Sequence, residues 1–297
     1  MNKSIAVYWR MTRPHTLTAS FVPVVVGTAV VAPRVESIRL DLFVAMLIAS
    51  MLIQIATNLF NEYYDYKRGL DTEESVGIGG SIVRDGFKPG TILAFALTLY
   101  GISALLGVYL CIETSWWLLV VGLISMFVGY IYTGGPLPIA YTPFGEVVAG
   151  FFMGYIIIAI SAYLQIGYVP TEAVAISIPV AILIGSILLA NNIRDLDNDK
   201  VNGRKTIACL VGHRRAVYVL IGFFAAAVLS LIVAVLAFEV SWFALLALLS
   251  IPLMIKAVRF FWEDLPPEKL MPGMAQTGKV NTIFGLLLAI SLVIANI

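Results

Sequence analysis

Nine stretches of mostly apolar residues, each close to the length of a membrane crossing, constrain this chain more than any other feature. They cover residues 17–32, 40–60, 91–111, 116–132, 147–167, 173–190, 216–238, 242–258 and 280–296. A helix that crosses the hydrocarbon core of a bilayer needs about 20 such residues. Over its 297 residues the chain is 60% hydrophobic and 12% charged, against about 45–50% and about 25% in ordinary soluble domains. So few charges cannot cover a water-facing surface. The pattern predicts an all-α integral membrane protein of nine transmembrane helices. Pro23, Pro179 and Pro252 fall inside these stretches, which membrane helices tolerate where neighbours satisfy the freed carbonyls. The segment ahead of the first stretch mixes Tyr8, Trp9 and Met11 with Arg10 and Arg13 and reads as a short helix lying on the membrane surface.

The basic residues set an orientation. Of the 19 Lys and Arg residues, only Arg34 and Arg39 fall on the side opposite the N-terminus when nine crossings are threaded. The positive-inside rule then puts the N-terminus in the cytoplasm. A net charge of +1 excludes a nucleic-acid binder, which carries a basic excess. Cys111 and Cys209 make no disulfide framework or zinc spacing, and His15 and His213 make no His-rich metal site.

The acids carry the chemistry. Asn58, Asn61, Asp65 and Gly69 close the second stretch; Asn192, Asp195, Asp199 and Gly203 close the sixth, at one offset of 134 residues and without a gap. The match predicts an internal duplication, with halves at about 14–133 and 146–258 and a last span at about 280–296. Residues at i, i+3 and i+7 share a helix face, so each trio forms a polar stripe at the cytoplasmic end of its span. Packed about a pseudo-twofold axis, the two stripes would face a central cavity that opens to the cytoplasm. Loop acids that merely balance nearby bases are the plainer reading of one such motif; two in register inside apolar spans argue for function. Oxygen-only donors suit Mg²⁺: Asn61, Asp65, Asp195 and Asp199 are the candidate metal ligands. Lys67, Arg68, Arg84, Arg194, Arg204 and Lys205 lie in the same segments and fit a polyanion, with Asn58 and Asn192 as further diphosphate contacts. A diphosphate at the mouth of an apolar helical cavity suggests a prenyl diphosphate. Tyr63, Tyr130, Tyr132, Phe151 and Tyr155 are candidates to stabilise an allylic cation.

These motifs resemble those of the UbiA superfamily of intramembrane aromatic prenyltransferases, and most of all its naphthoate branch. Four segments carry the likeness: Arg13-Pro14-His15-Thr16-Leu17; Asp65 and Asp71, six apart; Tyr132-Thr133-Gly134-Gly135-Pro136 followed by Gly145-Glu146; and Asn191-Asn192-Ile193-Arg194-Asp195 with Asp199, Gly203, Arg204, Lys205 and Thr206. The resemblance implies one transmembrane prenyltransferase domain over residues 1–297 in the cell membrane. It implies polyprenyl diphosphate and 1,4-dihydroxy-2-naphthoate as substrates, Mg²⁺ as cofactor, and Asp65, Asp71, Asp195 and Asp199 as catalytic acids. Arg13 and Thr133 join Tyr63, Tyr130 and Tyr132 as contacts to the acceptor or the cation. Glu62 stands where the family usually has Asp, which keeps the charge on a longer arm, and the stretch from Gly79 to Gly86 follows the family's glycine-rich segment loosely. The alternatives are a prenyltransferase for another acceptor, such as 4-hydroxybenzoate or protohaem, and a transporter with a two-fold repeat. A CDP-alcohol phosphotransferase fits less well, because its DG-x-x-AR run is absent from the sequence.

Overall fold

The computed structural model describes residues 5–70 and 80–295. Twelve helices and short 3₁₀ turns carry the described chain, with no strand among the described residues. They are α1 Ile5–Met11, α2 Thr18–Ala29, α3 Leu40–Lys67, α4 Pro89–Glu113, α5 Trp117–Ile131, α6 Gly145–Ile166, α7 Thr171–Arg194, α8 Leu196–Val201, α9 Ile207–Val211, α10 His213–Ala237, α11 Trp242–Phe260 and α12 Pro267–Ile294.

All nine apolar stretches are helical, but not equally long. Seven helices (α3, α4, α6, α7, α10, α11 and α12) have the length and composition to cross a membrane; the segments Thr18–Arg34 and Trp117–Ile131 are shorter. At about 1.5 Å per residue, the 15 residues of α5 fall short of a hydrocarbon core about 30 Å thick. At the other extreme, α12 begins at Pro267, well before the apolar run that starts near residue 280. Hydropathy marks the apolar part of that helix. Its true start follows from Pro267 in the first turn, where a missing N–H costs nothing.

The chain divides into two compact units, residues 1–17 with 45–140, and residues 18–44 with 141–297. In the first, α3, α4 and α5 pack with α1 around Met11, Leu59, Phe60, Ile82, Phe87, Ile92 and Leu99. Polar side chains stitch the helices: Ser103 Oγ donates to the Ala49 carbonyl at 3.0 Å and the Tyr100 hydroxyl to the Met126 carbonyl at 3.1 Å. Outward faces stay apolar, with Leu105 and Phe127 exposed, as acyl chains rather than water would favour.

Among the membrane-length helices of the second unit, α7 and α12 are the most enclosed. Small residues let their neighbours approach. A Cβ on Gly154 of α6 would lie 2.5 Å from the Ala181 Cα of α7, and one on Gly150 would lie 2.5 Å from the Ala181 carbonyl oxygen. This is the small-xxx-small packing of membrane helices. The same stretch, Gly150–Ile156, is wound as a π-helix, the usual form of a local irregularity inside an α-helix. Buried polar groups join α2 to α12, where Asn281 Nδ2 donates to the Thr18 carbonyl at 3.1 Å and its Oγ1 at 3.0 Å.

Candidate active site

The first acidic segment is the C-terminal end of α3. An unbroken helix puts Asn58, Asn61 and Asp65 on one face, with Asn58 and Asp65 buried. Asn58 Nδ2 donates to Thr16 Oγ1 at 2.9 Å, and Arg13 Nη1 donates to Asn61 Oδ1 at 3.3 Å. The Arg13-Pro14 entry segment is thereby brought onto the stripe. Arg13 is held at φ 47°, a left-handed backbone conformation that is uncommon outside glycine and clusters at functional sites.

The helix ends in a Schellman motif. Gly69, at φ 75°, donates its N–H to the Tyr66 carbonyl at 3.0 Å, while the Leu70 N–H donates to the Asp65 carbonyl at 2.9 Å. Such a cap needs a left-handed residue, which glycine supplies without steric cost. Arg68 reaches from this cap to the Tyr132–Pro136 turn, donating to the carbonyls of Thr133 at 2.7 Å and Gly135 at 2.8 Å. The turn is thus clamped by a guanidinium fork, and Thr133 is buried within it. Tyr130 belongs to the packing: its hydroxyl shares a 2.6 Å hydrogen bond with Tyr64, and its ring meets Phe60 edge-on at 5.5 Å. Tyr63 stands edge-on to Tyr64 at 5.1 Å, with the Lys67 ammonium 5.7 Å from its ring centre. Tyr132 is half-buried at the end of α5. Arg84 is half-exposed, its Nε 3.9 Å from Asp85, which also pairs with Arg10 at 3.0 Å. Asp71 lies outside the described residues.

The second segment repeats the local geometry. α7 ends at Arg194 and α8 resumes at Leu196, with one i→i−4 bond into Asp195 and one out of it. The Asp195 N–H reaches the Asn191 carbonyl at 3.0 Å, and the Asp199 N–H reaches the Asp195 carbonyl at 2.8 Å. The backbone of Asp195 thus links the end of one helix to the first turn of the next. The cap is again a Schellman motif: Gly203, at φ 71°, donates to the Lys200 carbonyl at 3.1 Å, and the Arg204 N–H donates to the Asp199 carbonyl at 2.9 Å. Asp65 and Asp199, matched by the sequence offset, hold the same position in matching caps.

Their surroundings differ. Asn192 Nδ2 donates to Glu146 Oε1 at 2.9 Å, and Glu146 is 1% exposed. Arg194 grips Asp195 with two bonds, Nε at 2.7 Å and Nη2 at 2.5 Å, and its Nη1 lies against the sulfurs of Met271 and Met274. Arg204 Nη1 is 3.1 Å from Asp199 and stacks over Tyr141 at 4.8 Å. The Lys205 side chain is exposed, while its N–H donates to the Tyr141 carbonyl at 2.9 Å. On α6, Phe151 stacks on Tyr155 at 5.4 Å, with the Phe151 side chain half-exposed.

Several partnerships here are not visible in the sequence pattern. Glu62, within the first motif, turns to Ser81 and Ile82, and Glu146 is the partner of Asn192. Arg68 and Arg194, read as diphosphate contacts, are engaged by backbone carbonyls and by Asp195. Among the described residues, no three His, Cys, Asp or Glu side chains converge on one metal position.

Known proteins resemble this chain in sequence and in fold. A family model described as the UbiA prenyltransferase family matches residues 20–275, which include both acidic segments. The 1,4-dihydroxy-2-naphthoate octaprenyltransferase of Bacillus subtilis (strain 168) is 52% identical over 97% of this chain and 93% of its own length. The enzyme of the same name from Haemophilus influenzae is 27% identical over 99% and 98%. A UbiA homolog from Archaeoglobus fulgidus, solved bound to GPP and Mg²⁺, superposes with a TM-score of 0.67 at 16% identity, covering 97% of this chain and 99% of that one. A half-identical relative along almost the whole chain, a matching family model and a shared helical fold place this multi-pass membrane protein in the UbiA prenyltransferase family.

Proposed function

We propose that the chain transfers a polyprenyl group from polyprenyl diphosphate to 1,4-dihydroxy-2-naphthoate, with loss of the ring carboxyl group, giving demethylmenaquinol. The observation that carries the acceptor is the half-identical relative from Bacillus subtilis, matched over nearly its full length and named for that substrate. The two capped acidic segments support the diphosphate chemistry, because they bring carboxylates and amide oxygens, and no sulfur or imidazole, into the matched positions.

That donor chemistry fits Mg²⁺. Asn61 and Asp65 in the one motif, and Asp195 and Asp199 in the other, are the residues that would hold it, with Asp71 a further catalytic acid. Bound there, it would neutralise charge on the departing diphosphate. Both motifs serve the same reaction. Lys67, Arg84, Asn58, Asn192 and Lys205 bind the diphosphate oxygens, and Arg194 and Arg68 act through the groups they already hold. Arg13, Tyr63, Tyr132 and Thr133 orient the acceptor ring and shield the allylic cation, with Tyr130 supporting them from the packing. The C1–O bond of the prenyl diphosphate breaks, and its electron pair leaves with the diphosphate. The ring carbon bearing the carboxylate attacks the allylic carbon, and loss of carbon dioxide from that same ring carbon restores aromaticity. No strong base is needed at that carbon, so alignment is the main task of the protein, worth roughly 7–11 kcal/mol at best. The N-terminus lies in the cytoplasm and the site opens to that side of the cell membrane.

The test supplies membranes containing the protein with carboxyl-labelled dihydroxynaphthoate and a polyprenyl diphosphate. Labelled carbon dioxide should appear in step with diphosphate. A prenylated product that keeps its label overturns the reading.

A further inference from the structure

Glu62 lies between Asn61 and Asp65 in sequence, yet its carboxylate serves a different purpose. On the helix Glu62 is about 100° from Asn61 but only about 40° and about 60° from Asn58 and Asp65, so it flanks the polar face, and its partners rather than its position set it apart. Its side chain is 1% exposed. Oε1 accepts the Ile82 N–H at 3.0 Å, and Oε2 accepts the Ser81 hydroxyl at 3.3 Å. A buried carboxylate persists only where donors meet it, and one of these donors is backbone. The bond therefore fixes the path of the chain and not merely a side chain.

The segment it grips is itself tightly wound. The Arg84 N–H donates to the Gly80 carbonyl at 2.6 Å and the Phe87 N–H to the Ser81 carbonyl at 3.0 Å, with Gly80 at φ 102° and Gly86 at φ 64°. Its far end is held by α1: Tyr8 meets Phe87 edge-on at 5.6 Å, and Arg10 pairs with Asp85 at 3.0 Å. Ile82 and Phe87 are buried with Met11 and Phe60. Glu62 is thus the inner anchor of the segment that carries Arg84, and α1 is the outer one. An aspartate, shorter by one carbon–carbon bond of about 1.5 Å, would not span to Ile82 from the same backbone position.

We propose that Glu62 is a positioning residue: it fixes segment 80–87, and Arg84 with it, onto α3, and it is not a ligand of the metal. Its expected kinetic effect rests on the proposed reaction; its effect on the backbone of the segment does not.

The experiment uses the full-length protein in lipid nanodiscs, with Glu62→Gln, Glu62→Asp and Glu62→Ala variants. Backbone hydrogen exchange is followed over residues 80–87. Turnover is measured against prenyl diphosphate and against Mg²⁺. Glu62→Gln keeps an acceptor oxygen at full reach, so Ile82 protection, the KM for prenyl diphosphate and the Mg²⁺ requirement should stay within about twofold of the parent. Glu62→Asp and Glu62→Ala should speed exchange of Ile82 and raise that KM, each by about tenfold, the scale of one hydrogen bond to a charged group. Their Mg²⁺ half-saturation should not move. A raised Mg²⁺ requirement in Glu62→Gln would make Glu62 a metal ligand and overturn the proposal, as would unchanged Ile82 protection in Glu62→Asp. If Glu62→Ala does not fold, the Gln and Asp variants decide. Should the protein prove inactive with dihydroxynaphthoate, the exchange measurement still decides the role of Glu62.

Discussion

Asp65 and Asp199 are each the residue whose backbone carbonyl closes a helix cap, so the backbone that bears each carboxylate is fixed by its own main-chain hydrogen bonds. Preorganised charge of this kind gains most where charge develops in the reaction, because nothing has to reorient. Asp65→Asn and Asp199→Asn keep size and remove the negative charge. Turnover should fall on the order of 10²–10³-fold in each, the usual cost of losing one key electrostatic group. Excess EDTA should abolish activity in the parent, and added Mg²⁺ should restore it. Steady-state assays across Mg²⁺ concentrations check both expectations, and near-parental turnover in either variant would reduce that acid to a structural helix-end group. Asp199 also balances Arg204 across 3.1 Å, in a spot where its side chain is 3% exposed. Asp199→Asn should therefore also lower thermal stability. The identities of these acids were legible in the sequence, because period and offset are local properties. Their partners were not: Glu62 and Ile82 stand 20 residues apart, and Glu146 and Asn192 stand 46 apart. Only the packing of helices decides which distant donor meets a carboxylate.

Two kinds of glycine hold the helices in place, and they should respond differently to one added methyl group. Gly69 and Gly203 sit at φ 75° and 71°, and a Cβ on either would meet nothing within 4 Å. For them the cost of Ala is conformational alone, about 1–2 kcal/mol for a left-handed residue, and each variant should keep its fold. Gly154 has an ordinary helical backbone, but its Cβ would lie 2.5 Å from the Ala181 Cα. Gly154→Ala must push α6 from α7, at a cost of 1–3 kcal/mol or more by analogy with overpacked cores, and Gly154→Val should cost more again. Thermal unfolding in one detergent ranks the series; a Gly154→Val protein as stable as Gly203→Ala would mean that the helices yield freely. The helices themselves were largely legible as apolar runs. Their ends were less so. Pro267 and Lys269 lower the hydropathy of α12 without interrupting it, and α5 is shorter than the crossing its composition suggests.

For the molecule as a whole, orientation is the property with the widest consequences, since it decides which compartment supplies the substrates. The bases are the relevant charges, because Lys and Arg near span ends resist translocation while acids count for little. When nine crossings are threaded, only Arg34 and Arg39 of the 19 fall on the side away from the N-terminus. Both are engaged there: Arg34 pairs with Glu172 and donates to the Tyr168 hydroxyl, and Arg39 pairs with Asp41 at 2.6 Å. Gln165 Oε1 also accepts the Arg39 N–H at 2.9 Å, so these side chains tie the ends of their own unit together. Each of these two bases is thus matched by an acid of its own segment or unit. Two single-cysteine proteins test the orientation, each in a background with Cys111 and Cys209 replaced. Glu36 and Val201 are both exposed, Val201 at 86%, and the nine-span threading puts them on opposite sides. In intact cells an impermeant maleimide should label Glu36→Cys at once and leave Val201→Cys unmodified until the membrane is opened. Labelling of Val201→Cys in sealed cells would reverse the orientation and turn both acidic motifs to the exterior, away from the cytoplasmic supply of a charged diphosphate.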